Sequence, residues 1–424
     1  MRVFVTFCTL WLSCLALADA SDFNKMVGYF GSWSNYRTGL GAFEISDIDP
    51  TMFTHLMYAF VGITPDGDVQ VLDEYRDLST DGGLGGFAEF NALRDQNAEL
   101  KTLVSIGGWN QGALNFSTVV SNSTLRSTFV KNALEFVLNY NFSGLDVAWE
   151  YPAQRGGADT DVENFVLLLE ELRECFDEED LLLTVAAGAS QRTVDSSYNV
   201  SGISAAVDMI TLMEYDFHGP WNNFTGPNAP LYVGTWETTD YEQIFNINAS
   251  VHYWLEQGAS AEKLLLGTAF YGRTFTLANS SETTPGSPAT GVGEAGTYTQ
   301  ESGVLSYYEI LGKYSEENWT IVFDDNQQVP YSYQGLQWIS HDNPRSLDVK
   351  AVYAEAMGLG GCSIWAIDFD DFRGLYGEKY PLLNTLYARM NGTSTSTTSA
   401  STTTTSTISS NTTSSSTNSS TISW

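Results

Sequence analysis

A (β/α)8 TIM barrel of the α/β class, with a small α+β insertion between the seventh strand and the seventh helix, is the architecture this sequence predicts. Three observations carry the prediction. Short apolar runs recur at eight places, residues 26–30, 53–60, 102–106, 145–149, 181–187, 209–213, 264–270 and 362–367, with the continuous patterning of strands buried on both faces. Amphipathic segments lie between several of them, and a strand-then-helix period repeated eight times favours a parallel sheet closed on itself. The gap between the seventh and eighth runs, finally, is far too long for one helix. An open doubly wound sheet is the alternative, and no glycine-rich dinucleotide fingerprint follows the first run to support it.

In chain order, residues 1–20 join Arg2 to an apolar run over 3–17 and close on Ala18-Asp19-Ala20, the pattern of a secretory signal peptide. The mature chain is expected to start near Ser21, and the barrel to occupy residues 21–390. Cys8 and Cys14 leave with the leader, so only Cys175 and Cys362 remain, which is no disulfide framework. The leader run is short for a membrane span and no second long apolar run follows, so the protein is expected to be secreted and extracellular. Helices are expected over 123–140 and 160–176, the latter opening with Thr160 and Glu163 in capping-box spacing. The long gap holds a stretch rich in Gly, Thr, Ser and Tyr, read as an inserted domain at about 272–335, and then a helix over 346–357. From residue 391 to 424 the composition collapses to Ser, Thr and Asn, the mark of a disordered, O-glycosylated tail; it ends without the hydrophobic stretch of a lipid-anchor signal. Sequons at Asn115, Asn122, Asn141, Asn199, Asn223, Asn248, Asn279, Asn318 and Asn391 fit an exported glycoprotein.

A formal net charge of -32 repels phosphate backbones and anionic lipid, so neither nucleic acid nor a membrane surface is an expected partner. A neutral ligand fits better. Aromatics make up 13% of the chain, and sugars offer apolar faces on which rings stack, although most of these rings are expected in the core. Charge and sequons together favour a monomer. No histidines group with carboxylates at metal-ligand spacing, so neither a metal nor another cofactor is expected; His218 reads as a loop or support residue.

The chemistry concentrates in Ser143-Gly144-Leu145-Asp146-Val147-Ala148-Trp149-Glu150-Tyr151-Pro152. On an extended strand, residues two apart share a face, so Asp146, Ala148 and Glu150 point into the barrel or toward its rim. A buried glutamate near another acid has a raised pKa and can serve as a general acid. A structural pair of acids held by Tyr and Arg partners is the other reading of these residues alone.

This segment closely resembles the catalytic strand of family 18 chitinases, whose pattern is Asp-Gly-x-Asp-x-Asp-x-Glu followed by Tyr-Pro. The resemblance runs along residues 25–389, with further pieces in the family's order: Tyr29-Phe30-Gly31-Ser32-Trp33, Tyr58-Ala59-Phe60, Ser105-Ile106-Gly107-Gly108-Trp109, Met213-Glu214-Tyr215-Asp216, Tyr271-Gly272-Arg273, Trp338 with Asp342, and Ile364-Trp365-Ala366-Ile367-Asp368. It implies that Glu150 protonates the glycosidic oxygen while the substrate's own 2-acetamido carbonyl attacks the anomeric carbon, so that configuration is retained without an enzyme nucleophile. Tyr215 and Asp216 then position the acetamido group, Asp146 supports the acid, and Trp365 forms the floor beneath the sugar. Tyr29, Phe60, Gly108, Trp109, Met213, Tyr271, Arg273 and Trp338 are the further substrate-binding candidates. For Trp33, Trp109, Trp221 and Trp338, plain packing is the competing reading.

The chain departs from the family's pattern at Ser143 and Ala148, which stand where the first and last aspartates are implied. A hydroxyl keeps part of a hydrogen-bond network; a methyl group cannot accept the acetamido N–H or offset the positive charge of the oxazolinium. Losing that preorganised partner is expected to cost about 3 kcal/mol, roughly a hundredfold in rate. It should also lower the pKa of Glu150, favouring acid conditions. Two rescues are conceivable: Asp146 turning toward the vacated position, or a water bridging from Asp216. The disulfide that the resemblance implies between the first two strands cannot form, because Gly28 and Phe53 occupy those positions. The reading is thus a secreted chitinase-like protein that binds chitin or chito-oligosaccharides and hydrolyses them weakly. An inactive chitin-binding lectin and a growth-factor-like protein are the alternatives.

Overall fold

The computed structural model describes residues 23–316 and 318–392. The expected signal peptide, and the tail from residue 393, lie outside the described residues. Eight parallel strands close on themselves: β1 (Lys25–Gly31), β2 (His55–Ile63), β3 (Lys101–Gly107), β4 (Gly144–Ala148), β5 (Leu182–Gly188), β6 (Met209–Met213), β7 (Leu264–Ala269) and β8 (Gly361–Trp365). Each pairs with its neighbours in chain order, and β1 pairs with both β8 and β2, which completes the ring. The expected (β/α)8 barrel is therefore the fold, each strand lying within a few residues of its apolar run.

Alternation sorts the side chains. On β4, Leu145 and Val147 face the helices, as does Trp149 just beyond, where its ring stacks on Phe116 at 5.1 Å and meets Phe165 edge-on at 5.5 Å. Asp146 and Ala148 face inward. The barrel interior is filled at mid-height by Val27, Tyr29, Met57, Ala59, Leu103, Met209 and Leu265, so the lumen is a packed core with its opening at the carboxyl ends of the strands.

Asn122 starts the helix Ser123–Asn139 by accepting the backbone N–H groups of Thr124 and Leu125. The helix Asp161–Asp177 begins differently from the expected capping box. Thr160 already has helical dihedrals and makes no capping bond; instead the buried Asp161 accepts the N–H groups of Ala153 and Ala158 and the hydroxyl of Ser117. Asn343 and Ser346 cap the helix Pro344–Ala356 reciprocally, with Pro344 in its first turn.

Between β7 and that helix runs a six-stranded antiparallel sheet with the helix Tyr307–Glu316 beside it. The insertion extends over 271–340, further than the expected 335, because Gln337–Ser340 pairs between Tyr271–Leu277 and Val329–Gln334 in the middle of the sheet. Its core is Phe275, Leu277, Tyr331 and Trp338.

On the outer face of β1, the two positions where a disulfide was implied are in contact without one. A Cβ at Gly28 would lie 2.5 Å from the Phe53 ring, so only glycine lets that ring cover β1. Cys175 and Cys362 are both free thiols, the latter buried. No helix among the described residues is long and apolar enough to cross a membrane.

Candidate active site

The strand ends surround a cavity of about 1160 Å³, walled on one side by the insertion. Beneath its floor lies Asp146, fully buried and saturated. Its Oδ2 accepts the hydroxyls of Tyr29 (3.0 Å) and Ser105 (2.7 Å), and its Oδ1 that of Thr184 (2.7 Å). These donors come from β3 and β5, which flank β4, and from β1 across the lumen, so three strands besides its own hold one carboxylate. Burial pushes its pKa up and the three hydroxyls pull against it. A swing of Asp146 toward position 148, one of the two conceivable rescues, would break all three bonds.

Ala148 ends β4 and lines the cavity with its methyl group. Gly108 donates its N–H to the Ala148 carbonyl at 2.9 Å, and its positive φ of 79° suits a glycine. A Cβ there would come within 2.6 Å of the Phe60 ring. Gly108 thus lies behind the lining and lets Phe60 reach the cavity. Ser143, at the other departure, receives weak bonds at 3.3 Å from Arg94 and from the Thr102 N–H, so its hydroxyl does keep part of a supporting network.

Glu150 follows the strand and projects into the cavity. Its carboxyl is pushed up to about 7, first by burial and then by the Asp216 carboxylate, against the opposing pull of Arg155 and of the Tyr151 hydroxyl. The expected acid shift from the missing carboxylate at 148 is thus outweighed by burial. Sequence reasoning missed Arg155. Its guanidinium donates to the carbonyls of Glu150 (2.9 Å) and Trp109 (2.8 Å) and lies 3.9 Å over the Trp109 ring, tying the acid's backbone to an aromatic that is 58% exposed at the rim.

The opposite wall is fully bonded. Asp216, held at φ 59°, accepts Tyr271 Oη (2.6 Å) and Arg273 Nε (2.6 Å) on Oδ1, and Arg273 Nη2 (2.7 Å) on Oδ2. Its N–H donates to Asn228 Oδ1 at 2.9 Å. Tyr215 packs edge-on against Tyr271 at 5.9 Å; burial, Glu150 and Asp216 raise its pKa, so it remains a phenol that can donate. Met213, at the end of β6, lines the cavity beside them.

Aromatic rings pave the rest. Trp365 ends β8 and meets Phe60 (5.7 Å), Tyr29 (5.6 Å) and Trp33 (6.2 Å). Trp33, Trp109 and Trp221 line the cavity with faces open to solvent. Trp338 does not. It is fully buried between Phe275 and Tyr331 in the insertion sheet, with its Nε1 bonded to the Thr283 carbonyl at 2.9 Å, so packing is the correct reading for this residue. The lining also includes Thr299, Glu301 and Val304 from the insertion and Asn110 and Gln111 after β3, none of which carried a readable signal in sequence. Among the described residues no group of three or more His, Cys, Asp and Glu side chains is placed to hold a metal.

Comparison with known proteins places this geometry. The family model described as glycosyl hydrolases family 18 matches residues 25–370. Mouse chitotriosidase-1 is 40% identical over 87% of this chain and 78% of its own length. Human chitinase-3-like protein 2 is 36% identical, covering 89% and 96%. Among solved structures, the Group IV chitinase of Ostrinia furnacalis in complex with allosamidin superposes with a TM-score of 0.85 at 43% identity, covering 88% of this chain and all of that one. Human YKL-39, described as a pseudo-chitinase with retained chitooligosaccharide binding, superposes with a TM-score of 0.80 at 36% identity, covering 87% and 100%.

Proposed function

The chain belongs to glycosyl hydrolase family 18, and from that premise we propose that it is a secreted, monomeric, chitinase-like glycoprotein that binds β-1,4-linked N-acetylglucosamine chains and hydrolyses them weakly. On this reading residues 1–20 are removed as a signal peptide, 21–390 form the barrel, and 391–424 a Ser/Thr-rich tail. Trp365 is the floor under the scissile sugar, with Tyr29, Phe60, Trp109, Met213, Tyr271 and Arg273 around the bound chain and Gly108 behind Phe60.

The observation that carries the reading is a contrast at one strand end: an acid whose pKa is pushed up to about 7 survives at Glu150 beside a methyl at Ala148. Glu150 gives its proton to the glycosidic oxygen as the bond to the anomeric carbon breaks. The substrate's acetamido oxygen attacks that carbon from the other face, with the Tyr215 phenol donating to the developing group. Water then opens the oxazolinium, Glu150 takes the proton back, and configuration is retained. Ala148 offers nothing to the acetamido N–H or to the positive charge, Asp146 is held in its three bonds, and Asp216 already has both oxygens engaged by Tyr271 and Arg273. Turnover therefore loses about 3 kcal/mol of stabilisation relative to a site with a carboxylate there.

The methyl at 148 also favours a second reading, a lectin whose cleft binds without turnover. Reporter release from a chito-oligosaccharide glycoside between pH 4 and 8 separates the two. Activity in the native chain that disappears in Glu150→Gln, with binding retained in both, supports the enzyme. Equal rates in both chains, with binding retained, leave the lectin. No retention on chitin beads at all would overturn both.

A further inference from the structure

We propose that Asn223 carries an N-linked glycan that stands at the rim of the cleft and limits the length of sugar chain the cleft accepts, an inference that rests on the secreted, chito-oligosaccharide-binding reading above. The motif is Asn223-Phe224-Thr225, two residues beyond Trp221. Trp221 is 58% exposed, lines the cavity, and has the Arg273 guanidinium 5.1 Å over its ring. Asn223 is exposed, and its carboxamide makes no hydrogen bond with any described residue.

The structure separates this sequon from the others. The amide nitrogen of Asn115 donates to the Ile63 carbonyl at 2.8 Å from a half-buried position. Asn199 and Asn248 are half-buried, and the amide nitrogens of Asn279 and Asn391 are bonded to Glu282 and to the Tyr387 carbonyl. Asn122, Asn141 and Asn318 are exposed with free amide nitrogens, but their segments contribute nothing to the cavity. Among the sequons of the described residues, Asn223 alone combines a free, exposed amide with a place two residues from a cavity-lining tryptophan.

The loop that presents it is fixed. The Asn223 carbonyl accepts the Ala289 N–H at 2.9 Å, Phe224 bridges to Pro288, and the Thr225 hydroxyl is fully buried, donating to the Thr284 carbonyl at 3.1 Å. Recognition of that hydroxyl must precede folding, as happens on a nascent chain entering the secretory compartment. In the transfer step Asn223 Nδ2 loses a proton and bonds to C1 of the first N-acetylglucosamine of a lipid-linked oligosaccharide, and the lipid pyrophosphate leaves.

The innermost two sugars of such a glycan are β-1,4-linked N-acetylglucosamine, the chemistry proposed for the ligand itself. Tethered two residues from Trp221, they compete for its face at an effective concentration on the order of millimolar. A free chain long enough to reach Trp221 must displace them; a short chain held around Trp365 need not.

The test uses the full chain secreted from insect cells. Glycopeptide mass spectrometry should find Asn223 occupied. Asn223→Gln, and native protein treated with a peptide N-glycosidase, should both bind a hexasaccharide about fivefold more tightly than the untreated protein, the value of one aromatic contact, with disaccharide affinity unchanged. Asn223 found bare while other sequons are occupied overturns the inference and leaves the cleft reading intact. Occupancy without any length-dependent gain overturns the gating half. Hexasaccharide binding absent from every form overturns the cleft reading and, with it, the competition at Trp221.

Discussion

The two walls of the cleft are finished to different degrees. On the side of β6 and the insertion, Asp216, Tyr271, Arg273 and Asn228 form a closed set in which both oxygens of Asp216 and its backbone N–H have partners. On the side of β4, the acid Glu150 faces the cavity beside a methyl group, and the only other carboxylate on the strand is locked beneath the floor. On the proposed reading the first wall holds the sugar, while the second keeps the proton and lacks the charge that would let it be used well. Binding and turnover should then be separable, wall by wall.

Substitutions can break that contrast. The largest effect is expected for Glu150→Gln, which should remove the remaining hydrolysis by roughly a thousandfold while oligosaccharide affinity stays within a factor of about two. Single-turnover kinetics beside calorimetric titration measure both. Next comes Ala148→Asp, which completes the weak wall. It should raise kcat by about a hundredfold, and an unchanged kcat would show that the missing carboxylate is not the limiting defect.

The pH dependence sharpens the same point. Glu150 works protonated and sits at about 7, so kcat/KM should be level at acid pH and fall tenfold per unit above that value. In Ala148→Asp a second negative charge raises the pKa of Glu150, and the alkaline limb should move upward. A limb that moves down would contradict the electrostatic account. The smaller effects belong to the complete wall. Asp216→Ala strands Tyr271 and Arg273 and should weaken binding about tenfold. Trp221→Ala in the deglycosylated chain should cost only about fivefold, and only for long chains.

Much of this was legible in sequence, for physical reasons. Eight continuous apolar runs have few solutions other than a closed parallel barrel, and strand alternation alone puts Asp146 and Ala148 on the inner face. Glu150 was found by spacing, but its titration depends on burial and on Asp216, which lies just beyond β6 and more than sixty residues along the chain. Trp338 was misread because a motif gives a residue's place in order and says nothing of its face; alternation within Gln337–Ser340 turns the ring toward Phe275 and Tyr331. Thr160 failed as a cap because Asp161, one residue on, satisfies the turn before the helix. Arg155 was invisible because its partners are backbone carbonyls, which no side-chain pattern records.

The ring of Phe53 lying over Gly28 has a practical consequence for anyone handling the protein. Van der Waals contact does there what a covalent bridge was implied to do, and both described cysteines are free thiols. The barrel's cohesion is therefore indifferent to redox potential. Millimolar thiol reductant should leave the melting temperature where it is, and the barrel should fold in a reducing bacterial cytoplasm, which supplies the unglycosylated form for direct comparison with the secreted one.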